Sequence, residues 1–186
     1  MKLYASYTSP YARQCRIALL KGDIECEFIT TDHAQSAEKS ATKKVPFLED
    51  DDQTFTDSSS ILFHLAQKSG GTFIVDAEEQ ELFSMSTTCL DSIINVFLLE
   101  NDGVTGETSG YILRQQGRIN STLAELNNKA AGHKAPLNNG EIRLACLIDW
   151  ALFRGRINLA GLDHLQALLD TARLDADFNA TAIPTA

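Results

Sequence analysis

The chain has no Cys-x-x-Cys, no His or Cys cluster at metal-ligand spacing and no excess of basic charge. It also lacks an uninterrupted apolar run of about 18 residues. Each absence excludes something. The four cysteines, at 15, 26, 89 and 146, match neither a zinc pattern nor a compact disulfide framework. All four sit in apolar segments, so buried reduced thiols are expected, and no metal. Asp and Glu number 25 against 16 Lys and Arg, a net charge of −9. Phosphate binding needs a positive field, so nucleic acid is excluded as the main partner. An anionic membrane surface is disfavoured for the same reason, and the acidic surface reads as a solubility device. No charged segment followed by an apolar stretch opens the chain, so no signal peptide is expected. A soluble cytoplasmic protein without a membrane span follows as the expectation. What is present is enough apolar side chain for a real core: 44% of the residues are hydrophobic.

The two halves differ in periodicity. Residues 1–70 change period often. Lys2 to Ala5 reads as a strand, and Pro10 to Lys21 as a helix ended by Gly22. Cys26 to Thr30 alternates as a strand, and Asp32 to Ala41 is a weak polar helix. Pro46 to Glu49 and Thr54 to Thr56 are strands joined by the acidic turn Asp50-Asp51-Asp52. Asp57 to Gln67 is a helix stopped by Gly70-Gly71. This order, β-α-β-α-β-β-α, predicts a small α/β unit with helices on both sheet faces. From residue 77 the helical period holds instead. Leu82, Cys89, Leu90, Ile93, Phe97 and Leu98 mark one long helix, and Ile112, Ile119, Leu123, Leu126 and Ala130 the next. Glu141 to Phe153 is apolar nearly all round, which belongs at the centre of a bundle. The expected division is an α/β domain over 1–70, a linker over 71–76 and an all-helical domain over 77–186. The tail after Arg173 is weakly patterned.

Two short stretches carry chemistry. In the first, Tyr7-Thr8-Ser9-Pro10-Tyr11, a strand gives way to a helix. Ser is a preferred N-cap and Pro a favoured first helical residue, so an ordinary cap is one reading. The same geometry exposes a hydroxyl and unpaired backbone N–H groups at the positive helix end, which is an anion site. A thiolate is an anion. Dithiol redox chemistry at this turn is excluded, because the window Ser9-Pro10-Tyr11-Ala12 holds no sulfur. Cys15 faces the core by periodicity.

In the second stretch, Lys44-Val45-Pro46-Phe47-Leu48, the proline begins a strand and a cis bond before it is expected. Ten residues on, Asp57-Ser58-Ser59-Ser60-Ile61 starts a helix. It is either a plain cap or a place where Asp57 pairs an amino group while Ser58 and nearby N–H groups hold a carboxylate.

In order and spacing these stretches resemble the cytosolic glutathione S-transferases, and among them bacterial serine-type members. Ser9-Pro10, Lys44 to Leu48, Asp57-Ser58-x-x-Ile61 and the all-helical second half carry the likeness. The tail Phe178-Asn179-Ala180-Thr181 with Pro184 adds to it. The resemblance implies a thioredoxin-like N-terminal domain, an all-α C-terminal domain, a cytoplasmic homodimer and glutathione as co-substrate. It implies that Ser9 stabilises the thiolate, that Val45 offers its backbone to the cysteinyl part, and that Pro46 is the cis-proline. Asp57 and Ser58 then hold the γ-glutamyl end, and Lys44, with Lys43 beside it, lies near the glycine carboxylate. The implied activity is attack of glutathione thiolate on a small apolar electrophile. A non-catalytic interaction module of the same fold and a glutathione-dependent isomerase are the competing readings.

The chain also departs from the family pattern. Asp57 stands where Glu is common, and Ser40-Ala41-Thr42 replaces an Asn-Pro turn. Asn138-Asn139-Gly140-Glu141 replaces a Ser/Thr-x-x-Asp box, with the same capping logic. The chain is also short by most of a final helix. His33, His64, His133 and His164 are expected at surfaces or helix edges. Arg13 and Arg16 are expected in structural ion pairs, and Asp149 in a buried structural role. Tyr7, Tyr11 and Tyr111 are expected in packing.

Overall fold

The computed structural model describes residues 1–184. The side chain of His33 and residues 185 and 186 lie outside the described part, and with them the surface role expected of His33. The chain divides into two compact units: Met1–Val75 together with the segment from Arg173 on, and Asp76–Ala172.

The first unit is built on β1 (Lys2–Ala5), α1 (Pro10–Lys21), β2 (Glu27–Thr30), α2 (His33–Lys39), β3 (Phe47–Asp50), β4 (Gln53–Phe55) and α3 (Ser58–Lys68). The sheet order is β2-β1-β3-β4. β1 runs parallel to β2 and antiparallel to β3, and β3 pairs antiparallel with β4. Leu3, Ala5, Cys15, Ile17, Phe47, Leu48, Ile61, Leu62 and Leu65 are buried in its core. Cys26 is a correction: it precedes β2 and is half-buried rather than enclosed, although burial still pushes its thiol up. None of the four cysteines forms a disulfide. Cys89 is enclosed, and burial pushes its thiol up to about 12.

At the β3 turn, Asp50 accepts from Lys68 Nζ at 2.6 Å and pairs with His64 Nε2 at 2.7 Å. These partners, Lys68 first, hold its carboxyl below the ordinary range. A depressed native value stabilises the fold above the unfolded carboxylate pKa of about 3.9. That contribution is lost as pH falls through the lower native value. Asp50→Asn is therefore expected to flatten the acid limb of thermal stability between about pH 5 and pH 2. Melting curves across that range check it, and an unchanged limb in the variant would contradict it.

The second unit is all-helical: α4 (Ala77–Asn101), α5 (Gly110–Lys129), α6 (Asn139–Phe153) and α7 (Asp163–Ala172). α6 packs on α4 and α7, and α5 packs on α4 and α7. α6 is buried almost all round, from Ile142 through Ile148 to Ala151, and Arg143 within it lies 4.5 Å over the Phe83 ring. Asp149, expected buried, is half-buried. The capping box at Asn138 and Glu141 is formed in both directions. Asn139 N–H donates to Glu79 Oε1 at 2.8 Å, so α4 also satisfies the start of α6. By length and composition α4 passes for a membrane-crossing helix. Its packing against α5 and α6 accounts for that apolarity.

The segment after Arg173, expected with the helical domain, forms α8 (Ala176–Ala180) and belongs to the first unit. The physical reason lies on α1. Arg13 donates to Phe178 O at 3.0 Å, Arg16 to Thr181 O at 3.2 Å, and Lys21 pairs with Asp175 at 2.7 Å.

Candidate functional site

The turn after β1 is fixed by its own hydroxyls. Ser9 N–H donates to Ser6 O at 3.1 Å, and the Ser6 and Thr8 hydroxyls lie 3.0 Å apart. Ser9 has extended backbone and caps α1, its Oγ accepting from Ala12 N–H at 3.3 Å. Pro10 follows at the first helical position. A hydroxyl has one donor and two acceptor sites. Capping uses one acceptor site, so the Ser9 O–H proton remains available to an anion in front of the helix. Ser9 is half-buried. Tyr7, two residues before it, has its ring against Phe28 at 4.3 Å and under Arg16 at 4.9 Å.

Register brings the second stretch to the same place. Tyr4 faces Phe47 across β1 and β3, so the exit of β1 toward Ser9 lies beside the entry of β3 from Val45 and Pro46. Leu48 faces Phe55, so the exit of β4 toward Asp57 lies at that same end. The Val45–Pro46 bond is cis, as is Ala135–Pro136. Pro46 is buried, Val45 half-buried and Lys44 exposed.

Asp57 caps α3, its Oδ1 accepting from Ser59 N–H at 2.8 Å. The second carboxylate oxygen is left for another donor. Ser58, the first residue of α3, is buried. The first N–H groups of a helix have no intrahelical partner, which suits a carboxylate there.

Sequence reasoning missed what steadies this end of the sheet. Thr42 Oγ1 donates to Thr56 O at 3.4 Å and lies 3.0 Å from Ser40 Oγ, tying the loop before Lys44 to the exit of β4. Lys43 takes a left-handed backbone, φ 54°. The Ser-Ala-Thr sequence that replaces the family's turn is the one signal that pointed there. A separate cavity of about 300 Å³ lies within the helical unit, lined by Ile93, Val96, Gln116, Ile119, Asn120 and Arg156. None of the six site residues lines it. Among the described residues no group of three His, Cys, Asp or Glu is placed to hold a metal ion.

Residues 3–73 match the model of the glutathione S-transferase N-terminal domain. The fold, a thioredoxin-like α/β unit with an all-helical unit, is that of the glutathione S-transferases. A glutathione S-transferase of Methylobacillus flagellatus, solved with glutathione bound, is similar over 98% of this chain and 99% of its own, at 18% identity and TM-score 0.86. One from Methylobacterium radiotolerans, in complex with glutathione sulfonate, is similar over 100% and 95%, at 20% identity and TM-score 0.85. A maleylacetoacetate isomerase of Methylobacterium extorquens, with malonate and glutathione, is similar over 97% and 95%, at 17% identity and TM-score 0.73. Against these chains the final helix expected to be missing leaves no shortfall. No curated protein matches the sequence.

Proposed function

We propose that the protein is a serine-type member of the glutathione S-transferase superfamily, joining glutathione thiolate to small apolar electrophiles. The observation that carries this reading is the Ser9 hydroxyl, which caps α1 with its proton still free to donate. It stands at the sheet end where register also gathers Val45–Pro46 and Asp57–Ser58. Ser9 stabilises the thiolate, the Val45 backbone pairs with the cysteinyl amide, and Pro46 begins the strand that holds it. Asp57 and Ser58 take the γ-glutamyl ammonium and carboxylate, and Lys44 the glycine carboxylate.

The magnitudes suffice. A free thiol of pKa about 8.5 is about 3% ionised at pH 7, and lowering that pKa by two units needs about 2.7 kcal/mol. A hydrogen bond to a charged acceptor contributes about 1.5–3 kcal/mol, and the helix end about 0.3–1 kcal/mol. One hydroxyl and one helix terminus therefore reach it. Proximity to the electrophile does the rest.

Retention on immobilised glutathione, elution by free glutathione and turnover of a generic aryl halide test the reading. A protein that flows through the column unretained would sink it. The likeness to a maleylacetoacetate isomerase supports a second reading on the same thiol site. Product mass separates the two, since an isomerase releases glutathione unchanged and a transferase leaves it in the product.

Asp57→Ala and Ser58→Ala are expected to weaken glutathione binding about tenfold each while leaving the thiol titration in place. The basis is loss of a hydrogen bond to a charged group, about 1.5–3 kcal/mol. Calorimetric titration checks this, and wild-type affinity in both variants would reduce the Asp57 turn to a helix cap.

A cytoplasmic homodimer completes the proposal. Leu98, Tyr111, Leu113 and Phe153 are large apolar residues left exposed on the helical unit, and two-fold pairing would cover such surface. Sedimentation at micromolar concentration is expected to show a particle heavier than the 20.4 kDa chain.

A further inference from the structure

Arg13 sits one turn into α1 and is only 2% exposed. A cation is rarely enclosed to that degree unless it is held. Its Nη2 donates to Phe178 O at 3.0 Å, and its guanidinium lies 3.8 Å over the Phe178 ring. Phe178 is itself buried, as is Thr181, whose carbonyl takes Arg16 Nη1 at 3.2 Å. Both carbonyls belong to the last turn of α8, and Phe178 O also accepts from the Thr181 hydroxyl at 3.0 Å. The other end of Arg13 is the thiol turn: its backbone N–H donates to Ser9 O at 3.0 Å. That bond is the ordinary first-turn bond of α1, so the residue anchored to the tail by its side chain stands in the same turn as the Ser9 cap. Lys21 also pairs with the tail, through Asp175 and Asp177, but from the far end of α1 and partly exposed.

We infer that the C-terminal segment around Phe178 is a positioning element for the thiol turn, holding Ser9 through Arg13 in the geometry that stabilises a bound thiolate. This rests on the reading of Ser9 given above. Arg13 and Phe178 touch no ligand in this account. They act by fixing where the Ser9 hydroxyl stands, and a misplacement of about 1 Å is enough to matter at a reacting centre. The planar guanidinium matters as much as its charge, because it stacks on the ring and donates to the carbonyl together. A lysine cannot do both.

The test uses the full chain. Ultraviolet absorbance of bound glutathione thiolate is followed against pH in wild type, Phe178→Leu, Arg13→Lys and Lys21→Ala, with glutathione affinity measured alongside. Phe178→Leu keeps an apolar side chain in the buried place and so preserves folding, which melting curves check. Phe178→Leu and Arg13→Lys are expected to raise the thiol pKa by about one unit, which from about 6.5 is an about threefold loss of thiolate at pH 7. Affinity measured near about pH 5, where the thiol is protonated both free and bound, is expected to change less than about twofold, a small part of one tenfold step. Lys21→Ala is expected to leave the titration in place. The shift is also expected to vanish when Phe178→Leu is made in a Ser9→Ala background. An unmoved titration in folded Phe178→Leu and Arg13→Lys, or a shift that persists without Ser9, would overturn the inference. A titration that Ser9→Ala leaves unmoved would overturn the reading of Ser9 itself. Failure of the wild type to bind glutathione would overturn both.

Discussion

Replacing Ser9 by alanine is expected to raise the pKa of the bound thiol by about one to two units, from about 6.5, and to cut turnover at neutral pH about threefold to twenty-five-fold. The estimate follows from one lost hydrogen bond to a charged acceptor, about 1.5–3 kcal/mol, and from the conversion of about 1.36 kcal/mol per pKa unit. The same change removes the cap bond from Ala12 N–H. That costs stability of about 0.5–2 kcal/mol and is a separate effect. The two are told apart by measurement. Cap loss lowers the melting temperature without moving the titration of the thiol, whereas loss of the donor moves the pH–rate profile in a protein that is still folded. Glutathione affinity is expected to change less than turnover, because the γ-glutamyl and glycine ends keep their partners. Unchanged turnover would shift the role to Tyr7 or a backbone N–H.

The largest structural effect is expected at Gly140. A Cβ there would stand 2.8 Å from Glu79 O and 3.3 Å from Leu82 Cβ, both on α4. The carbonyl belongs to a helix backbone and cannot swing aside, so α4 and α6 would have to separate. Overpacking of this kind costs about 1–3 kcal/mol, and in a domain of this size each kcal/mol lowers the melting temperature by about 2–4 °C. Gly140→Ala is thus expected to melt several degrees lower, even though alanine is the better helix former by about 1 kcal/mol. Gly117→Ala, in the exposed middle of α5, is the control. Nothing lies within 4 Å of its Cβ position, so propensity alone acts and the variant is expected to be slightly more stable. Equal melting temperatures for the two variants would contradict the close approach.

These two residues also mark how far sequence reading reaches. Ser9-Pro10 was legible because a cap and a first-turn proline are local signals within a few residues. The Asn138 box was legible for the same reason, and the structure forms it with Glu141 as expected. The strand and helix spans read from the sequence agree to within a few residues, since periodicity is also local, whereas α7 and α8 were not read as helices. Gly140 was read only as part of that box. Its close approach to Glu79 O joins residues 61 positions apart, and no periodic pattern encodes such a contact. Arg13 was expected in an ion pair. The structure also sets it against a carbonyl and an aromatic ring 165 residues away.

The sequence by itself therefore determined what short-range physics can carry. That includes the α/β-then-helical order, the caps of α1 and α6, the buried character of α6 and the chemical types at the candidate site. Only the tertiary structure decided which ends meet. Strand register brought the exits of β1 and β4 beside the entry of β3. The buried Arg13 and half-buried Arg16 on α1 drew the tail back to the first unit, against the expectation that it belonged with the helices. The reason is the same in both cases. Capping and periodicity act over three or four residues, whereas register and burial are settled only when distant segments exclude water from one another.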